Sequence, residues 1–271
     1  MHLIEQEFNK LKNEINNSSS ITGIPSGFSV LDNTTSGFQN GQVTIIAARP
    51  GMGKQSFALN IVHYLATQTN ERIAIFSLRE IAKQLAKNIF RINRVYNAYS
   101  PQDIDEKIVK APVYFDDPDT ISILELMERA SVLKHNENIS LIIIDYLQLI
   151  SGFEENNGKK NFEKVMRLLK ILAQSLNIPI IVLSQLHRDL EYRKDKKPRL
   201  NDLDNYGLIQ KYVDVVLFLY RWDYYKINED DSYEDVKDKA LVRVAKNRNG
   251  YYGDVVLNFD FRSSRFSNNE Y

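Results

Sequence analysis

Residues 43–56, Val-Thr-Ile-Ile-Ala-Ala-Arg-Pro-Gly-Met-Gly-Lys-Gln-Ser, leave the chain little choice of fold. The β-branched and small apolar run Val43–Ala48 reads as a buried strand. A Pro/Gly turn ends it. Lys54 then opens an apolar-periodic segment, Phe57, Ala58, Ile61, Val62 and Leu65, that reads as a helix. Strand, glycine turn, lysine, helix is the plan of a phosphate-binding loop. Backbone N–H groups converge on an anion, the helix N-terminus adds partial positive charge, and the lysine reaches the β- and γ-phosphates. Gly51 and Gly53 let the backbone approach the oxygens. The candidate nucleotide-binding residues are therefore Arg49, Pro50, Gly51, Met52, Gly53, Lys54, Gln55 and Ser56. An ordinary strand-to-helix turn without a ligand is the plainer alternative.

The match to G-x-x-x-x-G-K-[ST] departs at two places. Ala48 takes the first glycine's position, and Gln55 takes the place of the Ser/Thr whose hydroxyl normally ligates magnesium. Gln55 offers a carbonyl oxygen on a longer stem. Ser56 comes one residue later, about 100° around the helix, and is expected to point elsewhere.

Further along, Ile73–Ser77 and Leu141–Asp145 read as buried strands, as do residues 179–184 and 215–220. Val113–Asp116 is a shorter one. Ile81, Leu85, Ile89 and Ile92 mark a helix between the second strand and the third. Ser122 with Glu125 forms a capping box for a helix running to about residue 134. Phe162, Val165, Leu168, Leu169 and Leu172 mark another helix. Residues 241–246 and 254–259 read as strands joined across an Asn-Gly hairpin signal. Apolar strands alternating with amphipathic helices predict an α/β fold, a mainly parallel sheet covered on both faces and finished by an antiparallel hairpin. Chemistry in such sheets collects at the strands' carboxyl ends, which places Lys54, Arg79 and Glu80, Asp145 and Gln185 on one rim. Asp145, a strand-terminal carboxylate, is the candidate magnesium-associated acid; a solvated turn cap is its alternative.

The 271 residues, 43% hydrophobic, suffice for one large domain at residues 21–271. Ile4, Phe8, Leu11 and Ile15 add an amphipathic helix, and a polar linker follows to residue 20. A formal net charge of zero confines any nucleic-acid or membrane attraction to local patches. The lack of cysteine excludes disulfides and thiol chemistry. With no signal-peptide pattern and no long apolar run, a cytoplasmic location is expected.

With the phosphate loop, residues 141–150 (Leu-Ile-Ile-Ile-Asp-Tyr-Leu-Gln-Leu-Ile), 182–186 (Val-Leu-Ser-Gln-Leu), 218–221 (Phe-Leu-Tyr-Arg) and 246–250 (Lys-Asn-Arg-Asn-Gly) in hand, the chain resembles the RecA-like motor domain of DnaB-type replicative DNA helicases. The resemblance runs from about Ile21 to Phe266 and takes in Thr22-Gly23, Gly27-Phe28, Leu31-Asp32 and Ser36-Gly37-Phe38. It implies ATP and Mg2+ as cofactors, a ring hexamer, and movement along single-stranded DNA. It also implies a collar domain that this sequence does not contain, so that residues 3–15 correspond to the family's linker helix, which docks on a neighbouring subunit.

The family writes alanine at position 48, so that departure is none. Gln55 replaces its magnesium-ligating hydroxyl, and Arg79 stands where its second strand ends in the glutamate that polarises the attacking water. Glu80 would need a register shift to serve as that base. In residues 202–214 the family's arginine and most of its polar residues are lost. Gln185 matches the family's polar sensor. Lys246 and Arg248 match the lysine and arginine finger that a family subunit extends to its neighbour's γ-phosphate, although a solvated hairpin tip would also carry them. Residues 188–199 hold six basic and three acidic groups. The corresponding family loop faces DNA, and Arg188, Arg193, Lys194, Lys196, Lys197 and Arg199 suit phosphate contacts; a plain solvated loop is the equal alternative. Two functions follow. One is a DnaB-derived protein with an impaired ATPase site that associates with a replicative helicase ring or its loader and modulates it. The other is an active ATP-dependent helicase with variant catalytic residues.

Overall fold

The computed structural model describes residues 21–92, 106–151, 158–203, 206–227, 236–248 and 250–269. The amphipathic helix expected over 3–15 lies outside them. Seven helices are described: α1 Ser29–Thr35, α2 Lys54–Gln68, α3 Ala82–Ile92, α4 Glu106–Lys110, α5 Ile123–Glu137, α6 Gly158–Leu176 and α7 Tyr206–Tyr212. The strands are β1 Val43–Ala48, β2 Ile73–Ser77, β3 Val113–Asp116, β4 Ile121–Ser122, β5 Leu141–Asp145, β6 Ile150–Ser151, β7 Ile180–Gln185, β8 Val215–Arg221, β9 Lys239–Asn247, β10 Gly253–Asp260 and β11 Arg265–Asn268.

Nine strands form one sheet in the order β11-β10-β9-β8-β1-β7-β5-β2-β3. The strands from β8 to β3 run parallel, and β9, β10 and β11 are antiparallel additions. Every residue of β1, β2, β5 and β8 is buried, as continuous apolar runs require when helices cover both faces. The strand period of two sorts β1 between two cores: Val43, Ile45 and Ala47 face one, Ile46 and Ala48 the other. The core that takes Val43, Ile45 and Ala47 packs α5 and α6, and the core that takes Ile46 and Ala48 packs α2 and α3.

Phe57, in the first turn of α2, is fully buried. It stacks on Phe28 at 5.0 Å and meets Phe266 edge-on at 5.3 Å. The helix that begins at the phosphate loop is thereby fastened to the segment before β1 and to β11. Phe57→Ala would cost about 3–5 kcal/mol through the cavity it leaves. Asp32 explains one motif without chemistry: its buried carboxylate accepts the N–H groups of Ser26 at 2.7 Å and Gly27 at 3.2 Å.

The expected antiparallel hairpin is present but extends to a third strand, β11. A small parallel pair, β4 with β6, was also not foreseen. Ser122 caps α5 through its hydroxyl, which accepts from Glu125 N–H at 3.2 Å, while the Glu125 carboxylate pairs with Arg129 instead of completing a box. Ile81, expected on the buried stripe of α3, is exposed and precedes the helix. Among the described residues no helix is long and apolar enough to cross a membrane.

Candidate functional site

The β1–α2 turn opens a cavity of about 280 Å³ at the carboxyl ends of the parallel strands. Gly51 and Gly53 have φ +84° and +85°, where a side chain would strain the backbone. A Cβ on Gly51 would lie 2.5 Å from the Tyr224 ring. Arg49, Pro50, Gly51, Gly53, Lys54, Gln55 and Ser56 all line the cavity, whereas the Met52 side chain is buried in the core. Across from them stand Asp145 from β5, Arg79 after β2 and Gln185 from β7. The expected rim is therefore real except at Glu80. That residue is not among the cavity's lining; its carboxylate accepts from Asn88 Nδ2 on α3 at 3.3 Å. Ser56, expected to point elsewhere, is a lining residue.

Burial governs the electrostatics of the site. Burial lowers the Lys54 pKa, the Asp145 charge opposes that fall, and the Arg79 charge adds to it. Burial raises the Asp145 pKa, against the pull of Lys54, a hydrogen bond from Gln55 and Arg79. Lys54 Nζ also sits 5.2 Å from the Tyr146 ring centre. Gln55 Nε2 donates to Asp145 Oδ2 at 2.9 Å. The concave loop, its lysine and the helix N-terminus fit a nucleotide phosphate chain. A magnesium ion does not fit this donor set. No hydroxyl stands at position 55, and the amide that replaces it spends its N–H on the carboxylate oxygen a cation would use.

Arg221, the last residue of β8, is a contributor the sequence did not single out for the site. Its guanidinium donates to the Gly51 carbonyl at 3.1 Å, pairs with Asp223, and lies 4.1 Å from the Phe259 ring. It thereby braces the loop. Its signals were an arginine closing an apolar strand at the rim and its place in the motif at residues 218–221. Arg49 is likewise engaged, with Glu191 at 3.0 Å and the Leu186 carbonyl at 2.8 Å.

Lys246 and Arg248 lie at the other end of the sheet. β8 runs parallel to β1, and Lys246 pairs with Val216 near the start of β8, so both cations sit below the amino ends of the parallel strands. Lys246 Nζ donates to the carbonyls of Gln210 at 2.7 Å and Val213. Arg248 donates to the Lys211 carbonyl at 3.2 Å and pairs with Asp214 at 3.3 Å. The C-terminal end of α7 thus holds both cations, where its carbonyls favour positive charge. Burial and the nearby Arg248 lower the Lys246 pKa. Asp214 is itself buried; it accepts from Val43 N–H at 2.9 Å and from Lys170 Nζ at 2.7 Å.

In the basic loop, Arg193 is committed to Asp202 through two 2.7 Å hydrogen bonds and to the Lys197 carbonyl. Arg199 pairs with Asp195 at 2.7 Å, Arg188 reaches Glu191 only at 3.6 Å, and Lys196 lies 5.3 Å from the Tyr225 ring centre. Lys194 is exposed. Much of the loop's positive charge serves to fold the loop itself.

Residues 23–268 match the family model described as DnaB-like helicase C terminal domain. The replicative DNA helicase DnaB of Geobacillus stearothermophilus is 38% identical over 99% of this chain, and the replicative DNA helicase DnaC of Bacillus subtilis 36% identical over the same share. The chain spans 61% of the length of each. One solved ATPase domain matches over 100% of both chains with a TM-score of 0.89 at 30% identity. A DnaB-like replicative helicase, solved with its interactions with primase, matches 99% of this chain and 69% of its own with a TM-score of 0.87 at 30% identity.

Proposed function

The chain belongs to the DnaB-like helicase C-terminal domain family, and on that premise we propose that it is a DNA-replication protein that holds nucleotide without turning it over efficiently. It takes part in a replicative helicase ring, or acts on the ring's loader, by offering Lys246 and Arg248 to a neighbour's nucleotide. One observation carries this reading: the Gln55 amide occupies Asp145 while Arg79, not a carboxylate, faces the phosphate cavity. A base must lie within hydrogen-bond reach of the water it activates, and Glu80 is turned to Asn88. The loss of a positioned base typically costs 10²–10⁴-fold in rate.

Lys246 and Arg248 support the second half of the reading. At the end of the sheet remote from Lys54, they cannot reach their own subunit's cavity, and a head-to-tail neighbour is the partner that could use them. Single-stranded DNA is a further partner under this proposal, contacted through Lys194, Arg188 and the less committed cations of residues 188–199. The test is steady-state magnesium-dependent ATPase of the purified chain with single-stranded DNA, with Lys54→Ala as control. Background turnover in both is expected. Turnover that disappears in the control would overturn the proposal and restore an active motor.

A further inference from the structure

The rearranged phosphate site has a consequence for the form in which its ligand arrives. Four cationic side chains, Arg49, Lys54, Arg79 and Arg221, line the cavity together with a single carboxylate, Asp145. Two of the four are engaged elsewhere, Arg49 with Glu191 and Arg221 with Asp223. Lys54 and Arg79 remain to face a ligand. An ordinary site of this kind takes a triphosphate with a divalent cation between phosphate oxygens, a hydroxyl and the strand-end carboxylate. Here a cation at that position would meet the N–H face of Gln55 at 2.9 Å from Asp145 Oδ2. It would also sit among two like charges in a partly desolvated cavity, where repulsion is poorly screened. The guanidinium of Arg79 offers what the cation would have supplied: positive charge and several N–H donors that match phosphate oxygens in pairs.

We propose that this chain binds nucleoside triphosphates as the metal-free anion, with Arg79 and Lys54 neutralising the phosphates and Gln55 keeping Asp145 closed to a divalent ion. The inference rests on the reading of this cavity as a nucleotide site with its own hydrolysis blocked, and it adds the ionic form of the ligand. It also accounts for the pairing of the two departures. Gln55 alone would remove a metal ligand and leave the phosphates under-neutralised; Arg79 alone would crowd a bound metal. Together they exchange one source of positive charge for another.

The experiment is equilibrium binding of a fluorescent ATP analogue to the full chain, in excess EDTA and in excess magnesium chloride. Affinity in EDTA is expected to equal or exceed that in magnesium. Arg79→Ala, at an exposed position where folding is not at stake, should weaken binding in EDTA about tenfold, the loss of one charge-assisted contact. The Gln55→Thr, Arg79→Glu double variant should bind about tenfold more tightly with magnesium than without. Wild-type binding that needs magnesium, or no binding in either buffer, overturns the proposal. ATPase measured on the same samples separates the two readings. Turnover together with binding in EDTA would sink only the blocked-hydrolysis reading, and background turnover with magnesium-dependent binding would sink only this one.

Discussion

The two ends of the parallel strands have been treated differently. At the carboxyl end, the features that bind an anion are in place: the glycine turn, the open helix N-terminus and the lysine that opens the helix. Where the resemblance implies side chains for metal and water, Gln55 hydrogen-bonds Asp145 and Arg79 lines the cavity. At the amino end the reverse holds. Lys246 and Arg248, which we propose are offered to a neighbour, are each seated on carbonyls of α7 or on buried Asp214. Binding an anion needs only geometry and charge, whereas cutting it needs a metal and a base at defined distances. A site can lose the second set and retain the first, and the opposite end of the same molecule need not follow it.

The sharpest way to break this contrast is Arg248→Ala in an assembly with a hydrolysis-competent relative. If the amino end serves a neighbour, the neighbour's turnover should fall about 10³-fold, the scale of an arginine finger, while this chain's own nucleotide affinity stays put. An unchanged rate would reduce Arg248 to a brace for Asp214. Next comes Asp214→Ala, which strands Lys170 without its buried partner and should destabilise the fold by about 3 kcal/mol in urea unfolding. At the carboxyl end, Gln55→Thr with Arg79→Glu should raise magnesium-dependent turnover about 10²-fold, near the low end of what a base contributes. No gain would mean that these two positions alone do not decide turnover. Smallest is Ser122→Ala, outside the phosphate cavity, which removes one helix cap and should cost about 1 kcal/mol with no effect on nucleotide binding.

How much of this was legible before the structure depends on which physics is local. The loop was legible because strand, turn and helix each leave a contiguous pattern, and the parallel core because double burial writes uninterrupted apolar runs. β11 was not, since Arg265-Phe266-Ser267-Asn268 has one large apolar residue, and its pairing with β10 leaves no contiguous apolar pattern. Gln55 and Asp145 were each singled out, but their mutual hydrogen bond joins residues 90 positions apart and no spacing rule announces it. The same holds for Arg221: a strand ending in arginine does not say which carbonyl it will meet. In the basic loop the count of charges said nothing of their partners. A count of six cations against three acids in residues 188–199 could not show Asp202, just beyond the stretch, taking Arg193 out of play.

Strand β1 has a role that its apolar sequence conceals. Its first residue, Val43, gives its N–H to Asp214, the carboxylate that also holds Arg248; its last, Ala48, runs directly into the phosphate loop. Six buried residues at about 3.3 Å each make a ruler of roughly 20 Å between the group a subunit would lend and the site it keeps. For any closed head-to-tail assembly, that buried ruler helps to fix the step from one nucleotide to the next. A change of length in β1 would therefore be felt as a change of spacing, at every joint at once.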